Sequence, residues 1–318
     1  MLIPSLMVIA GILLLLFGGD SLVKGAVAIA HHLRISPTVV GLTVVAAGTS
    51  APELVVSLSA AFQGTPDLAM GNVVGSNIYN IALILGITAM LQPLHIQGNT
   101  VKLEWPILFL SACLAHLLGR DGEIDRMEGS FFVIGLLTFI AWTVHLARYQ
   151  STDATVEAAS EVAADGENVS LGMAWMYAIA GGLMLTLGAR VMVGGAITIA
   201  QLVGVSERII GLTIVALGTS LPELVASTVA AMKNEADIAV ANVIGSNLFN
   251  TLGILGVTAT VLPVPVNPKT LSIDNPWMVG LTLLMLPLML RQKRLGRLEG
   301  ALLLSLMLCY SMLLYWMT

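Results

Sequence analysis

Gly41 to Asn80 reads GLTVVAAGTSAPELVVSLSAAFQGTPDLAMGNVVGSNIYN, and 170 residues later Gly211 to Asn250 reads GLTIVALGTSLPELVASTVAAMKNEADIAVANVIGSNLFN. The two stretches agree at 23 of 40 positions, so the chain carries an internal repeat. What recurs is mostly polar. Thr49, Ser50, Pro52, Glu53, Asn72, Ser76, Asn77 and Asn80 return as Thr219, Ser220, Pro222, Glu223, Asn242, Ser246, Asn247 and Asn250. All lie inside apolar segments. They read as an ion-binding cage, and the rest of the chain as its mount.

Of the 318 residues, 57% are hydrophobic and only 10% are charged. An ordinary globular domain has about a quarter of its residues charged. No single soluble core could hide this much apolar length. The apolar stretches are continuous rather than alternating, which excludes a β-barrel. The class is an all-α membrane protein. Spans of about 20 apolar residues are expected at 2–30, 38–62, 68–91, 103–119 and 129–148, then at 172–200, 208–232, 237–262, 276–291 and 298–317. That makes about ten transmembrane helices, five in each repeat. An odd number per repeat forces the second half to insert upside down, so the two five-helix repeats are inverted.

The repeats are expected to occupy 1–148 and 171–318. Residues 149–170 join them as an acidic linker carrying Asp153, Glu157, Glu161, Asp165 and Glu167. Basic residues favour the loops on the linker's side, which places the linker in the cytoplasm and both termini outside. Ser36-Pro37 and Ser206-Glu207 read as N-terminal helix signals. Asp20 and Lys24, four apart, read as a pair anchored at the interface. The match to a glycosylation sequon at Asn168-Val169-Ser170 is too short to carry weight. Cys113 and Cys309 read as packing residues. The five histidines lie outside the repeat cores and read as loop or interface residues. The N-terminal run lacks a basic leader and is long enough to span, so a cleaved signal peptide is not expected. Nucleic acid is not an expected partner, since no basic tract occurs. A monomer in the cell membrane is expected.

The chemistry lies in the two acids. Glu53 and Glu223 each fall about halfway along a span, where a lone carboxylate costs about 2.5 kcal/mol or more. No arginine or lysine lies in either 40-residue core except Lys233, at a helix end. The simplest compensation is a bound cation, or protons. Pro52 lacks an N–H and crowds the Gly48 carbonyl, so the helix should open there. Carbonyls near Ala46, Ala47 and Gly48 should then be freed, with Ala216 the repeat counterpart of Ala46. Thr49 and Ser50 share the face of Glu53, as Thr219 and Ser220 share that of Glu223. Asn72, Ser76 and Asn80, spaced i, i+4, i+8, should form one stripe on the next span, with Asn242, Ser246 and Asn250 as its copy. Every candidate ligand is an oxygen, which argues against zinc, copper and iron and suits Ca²⁺ and Na⁺.

GTSAPELVVS with GNVVGSN, and GTSLPELVAS with ANVIGSN, closely resemble the two α-repeats of the calcium/cation antiporter superfamily. The likeness is nearest to its prokaryotic sodium/calcium exchangers. The resemblance implies a ten-helix inverted-repeat fold in which inward sodium movement drives calcium out by alternating access. By the same resemblance, Glu53 and Glu223 are the central calcium ligands, and Thr49, Ser50, Thr219 and Ser220 serve both ions through side chain or backbone. Ser76, Asn80, Ser246 and Asn250 complete the sites. Spans one and six are candidates for a sliding gate. Several members carry Asp where this chain has Asn250, so the cage here has one potential charge fewer. Large calcium-sensing domains like those of animal exchangers are not expected from so short a linker.

The expected function is therefore secondary sodium/calcium antiport, with no enzymatic activity, no cofactor, and Ca²⁺ and Na⁺ as cargo. The nearest alternative is a proton/calcium antiporter that protonates the same two acids. A cation channel would show flux without counter-ion dependence. An intramembrane hydrolase built on Ser50 or Ser220 lacks an adjacent base.

Overall fold

The computed structural model describes residues 1–65, 67–96, 99–150, 169–204 and 216–317. Among the described residues, eight long apolar helices could each cross a bilayer: α1 (Leu2–Leu33), α4 (Leu68–Leu91), α5 (Thr100–Asp121), α6 (Arg126–Ala147), α7 (Leu171–Leu202), α9 (Ala236–Val261), α10 (Thr270–Gln292) and α11 (Arg297–Trp316). A ninth crossing is broken into α2 (Pro37–Thr49) and α3 (Ala51–Phe62), which meet at 44°. Of the expected span 208–232, the described part is a turn at Ala216–Gly218 and the helix α8 (Leu221–Met232). Ser206-Glu207, most of the linker and the Asn168 of the sequon lie outside the described residues.

The helices follow from composition. α1 turns Leu2, Ile3, Leu6, Ile9, Leu16 and Phe17 outward, which is stable only where the solvent is hydrocarbon. α9 is the reverse case, with 89% of its best apolar window buried, so it lies at the centre. Ser36 occupies the N-cap of α2 with Pro37 following, but its hydroxyl makes no capping bond. Proline's fixed φ is enough to start the helix. Cys113 is half-buried, but Cys309 is exposed on the outside of α11, so it does not pack in the core as expected. The helix window slides around α11, and position 309 falls on its lipid side.

Two features establish that the halves are inverted. First, α1 and its repeat counterpart α7 run antiparallel in close contact. A Cβ on Gly18 would sit 3.0 Å from the Gly181 carbonyl, and one on Gly11 2.7 Å from that of Gly188. Gly11, Gly18 and Gly25 recur seven apart, as do Gly181, Gly188 and Gly195, so one smooth seam faces the other. Second, four two-residue strands cross-pair. β1 (Leu94–His95) pairs β4 (Arg294–Leu295), and β2 (Glu123–Ile124) pairs β3 (Val264–Pro265). α5 crosses between β1 and β2, and α10 crosses between β3 and β4. Each strand therefore lies on the same face as the non-equivalent strand of the other repeat, and its own counterpart lies on the opposite face. Such pairing is possible only if one half is turned over. Two residues each, these strands are too short to leave a signal in the sequence.

Candidate functional site

Ser50 leaves helical geometry (φ −86°, ψ 2°) and separates α2 from α3. Pro52 then opens α3, placing Glu53 in its first turn, as Pro222 places Glu223 in the first turn of α8. The break is a bend rather than a long unwound stretch. The Ala46 carbonyl is not left open, because the Ser50 N–H donates to it at 2.9 Å. Ala216 begins the turn at Ala216–Gly218, and its side chain lies outside the described residues.

The two breaks meet. The Ser50 hydroxyl donates to Glu223 Oε1 at 3.0 Å, and the Glu53 and Glu223 carboxylates are near enough to repel each other. Glu53 and Glu223 are essentially inaccessible, at 1% and 0% exposure. The Thr49 hydroxyl lies 3.2 Å from Asn242 Oδ1 and 3.3 Å from Ser246 Oγ, both on α9. Ser220 is buried too, Thr219 is half-buried, and Ser76 is buried without a bond to name.

Asn72, Ser76 and Asn80 follow a face that turns slowly about α4. Each step of four residues overshoots a full turn by about 40°, since the helix repeats every 3.6 residues, and a wide π turn at Tyr79–Ile84 loosens the register further. Asn72 faces α3, donating to Ser57 Oγ at 3.0 Å and to the Glu53 carbonyl at 3.4 Å. Its copy Asn242 does the same to Ser227 at 2.9 Å and the Glu223 carbonyl at 3.5 Å. Asn72 and Asn242 thus brace the acid-bearing turns.

Asn77 and Asn247 recur with the cage residues but were not among its expected ligands. They act on those that were. Asn80 Nδ2 donates to Asn247 Oδ1 at 2.9 Å, and Asn250 Nδ2 to Asn77 Oδ1 at 3.1 Å. Asn77 is held in turn by donating to Thr251 Oγ1 at 2.8 Å. With their amide protons committed, Asn80 and Asn250 are left with Oδ1 unpartnered. Those two atoms join Glu53 Oε1 and Oε2, Glu223 Oε2 and Ser220 Oγ as buried oxygens with no hydrogen-bond partner. Six such oxygens come from both repeats, in a protein interior where buried polar atoms are almost always paired, which makes them candidates for holding a hard cation. Among the described residues no cluster of three His, Cys, Asp or Glu occurs, and the candidate set combines two carboxylates with neutral oxygens.

Inverted repeats, each broken at the level of a buried acid and touching where Ser50 meets Glu223, have the plan of a secondary transporter of small cations. The comparisons with known proteins narrow this class. The profile described as sodium/calcium exchanger protein matches residues 3–145 and 173–316, and the chain belongs to that family. The CaxA protein of Alkalimonas amylolytica is 39% identical over 99% of both chains. The sodium/calcium exchanger MaX1 of Methanosarcina acetivorans is 30% identical, over 98% of both. Among solved structures, the sodium-calcium exchanger NCX_Mj soaked with zero Na⁺ and Ca²⁺ superimposes with a TM-score of 0.84 at 31% identity, covering 100% of this chain and 99% of its own.

Proposed function

We propose that the chain exchanges sodium for calcium across the cell membrane by binding either ion in the cage between Glu53 and Glu223. The observation that carries this reading is the set of six unpartnered buried oxygens. Their number matches the 6–8 oxygen ligands that Ca²⁺ takes. Two carboxylates cancel its charge, so the loaded cage is close to neutral and can be exposed to either side of the membrane. The neutral oxygens of Thr49, Ser50, Thr219, Ser220, Ser76, Asn80, Ser246 and Asn250 provide smaller pockets for Na⁺. Because sodium ions share ligands with calcium, their binding displaces it, and coupling follows.

Sodium influx would drive calcium efflux. The chain would work as a monomer of ten spans, with both termini outside and residues 149–170 as a cytoplasmic linker between the units 1–148 and 171–318. Purified protein in sealed vesicles tests the function. An outwardly or inwardly directed sodium gradient should move ⁴⁵Ca²⁺ in the opposite sense. If calcium moves under a pH gradient alone, or without any counter-ion, sodium exchange is wrong.

A further inference from the structure

Glu104 and Asp274 hold equivalent places in the two repeats, each four residues after a threonine in a wide π turn, Thr100–Glu104 and Thr270–Asp274. Asp274 is satisfied, since the Tyr310 hydroxyl donates to its Oδ1 at 2.9 Å. Glu104 differs. It is 6% exposed, and its Oε2 has no hydrogen-bond partner. The sequence explains the difference. Arg126-Met-Glu-Gly and Arg297-Leu-Glu-Gly align the last spans of the two repeats, and this alignment sets Phe139 where Tyr310 stands. Phenylalanine has no hydroxyl to offer.

A recess of about 50 Å³ lies beside the orphaned oxygen, lined by Ser36, Thr38, Asn99, Glu104, Phe139 and Trp142 among others. A water needs about 10–15 Å³ of such space, so the recess has room for one ion with a few waters. Asp237, at the start of α9, is near enough for its charge to act on Glu104, and Glu235 neighbours Asp237. Of the lysines close in sequence to these acids, Lys102 is exposed and Lys233 is engaged by Asp20. The recess sits at the N-terminal end of α2, whose 13 residues separate it from the cage by about 20 Å at 1.5 Å per residue.

We infer that this recess is a second cation site, taking a hard divalent cation such as Ca²⁺ on Glu104 Oε2, with the side-chain oxygens of Ser36, Thr38 and Asn99 nearby and Asp237 adding negative field. It is a docking point at one mouth of the transporter, apart from the transport cage. The set is all oxygen, which suits calcium rather than a transition metal.

Terbium, a luminescent substitute for Ca²⁺, tests the site on the full-length protein in detergent, because Trp142 lies in the recess and sensitises its emission. With Glu53→Gln and Glu223→Gln together, sensitised emission should persist and be displaced by Ca²⁺. Adding Glu104→Gln should reduce it several-fold. Adding Phe139→Tyr instead should do the same by supplying the missing hydroxyl, and the fold already accepts tyrosine at the equivalent place. Trp142→Phe should lower the emission while equilibrium dialysis still finds the bound calcium. The site is refuted if no calcium binds once both cage acids are replaced, or if binding is indifferent to Glu104→Gln and Phe139→Tyr. A failure of the transport-cage reading would look different: the two cage substitutions would leave calcium transport intact.

Discussion

Asn80 and Asn250 each commit their amide protons to an asparagine of the opposite repeat, and this is what turns their oxygens into potential ligands. Asn77→Ala should therefore weaken calcium binding without touching the ion. Partners that orient a ligand typically matter by about 10–100-fold in metal affinity, and isothermal titration of the purified protein would measure the loss. Glu53→Gln should abolish calcium-dependent exchange in vesicles, since one of the two charges that neutralise the ion is gone. Retention of full exchange would remove Glu53 from the cage. The tilt of the cage is itself uneven: Ser50 is bonded to Glu223, whereas Ser220 and both oxygens of Glu53 are unbonded.

Helix pairs carry the next level of control. The α1–α7 seam depends on backbones approaching at Gly18 and Gly181, where a side chain would collide with main-chain atoms. Gly18→Val should force the helices apart, at a cost of about 1–3 kcal/mol for overpacking. The thermal midpoint of the detergent-solubilised protein should fall, and exchange should slow. Gly19 lies against Val225 and Val229 of α8, so α1 leans on the acid-bearing helix of the second repeat. The corresponding helix of the first repeat is more open, with Val55 and Val56 at 50% and 41% exposure while Val225 is half-buried and Ala226 is 1% exposed.

Across the molecule, inverted repeats make the two access states near images of each other, with the roles of the halves exchanged. Any contact lacking a repeat counterpart then favours one state. Asp20 is such a contact: it pairs with Lys24 at 3.0 Å and also with Lys233. The counterparts of Asp20 and Lys233 are Arg190 and Gln63, which form no ion pair of this kind. The expected pair of Asp20 with Lys24 was therefore only part of a bridge that ties α1 to the end of α8. Asp20→Asn should shift the balance of states. In a chain freed of Cys113 and Cys309, a cysteine at Ser59 of α3 should react with a water-soluble thiol reagent faster than one at Val229 of α8. Asp20→Asn should narrow that difference. Equal reactivity before the substitution would refute the greater openness of α3 relative to α8.

The repeat, the membrane class, the buried acids and the proline breaks were all legible in the residues, because each rests on local rules: apolar length, helix period, and proline's missing N–H. Inversion followed too, from an odd count of spans. The partners of each polar group were not legible. Asn77 and Asn247 repeat as faithfully as Asn80 and Asn250, and nothing in their spacing distinguishes an orienting amide from a ligating one. The same holds for Asn72, whose amide braces the turn that carries Glu53, and for the missing hydroxyl at Phe139, which leaves Glu104 Oε2 without a partner. Those outcomes depend on which atoms of one repeat meet which atoms of the other, about 170 residues away, and only the folded arrangement brings them within hydrogen-bonding distance.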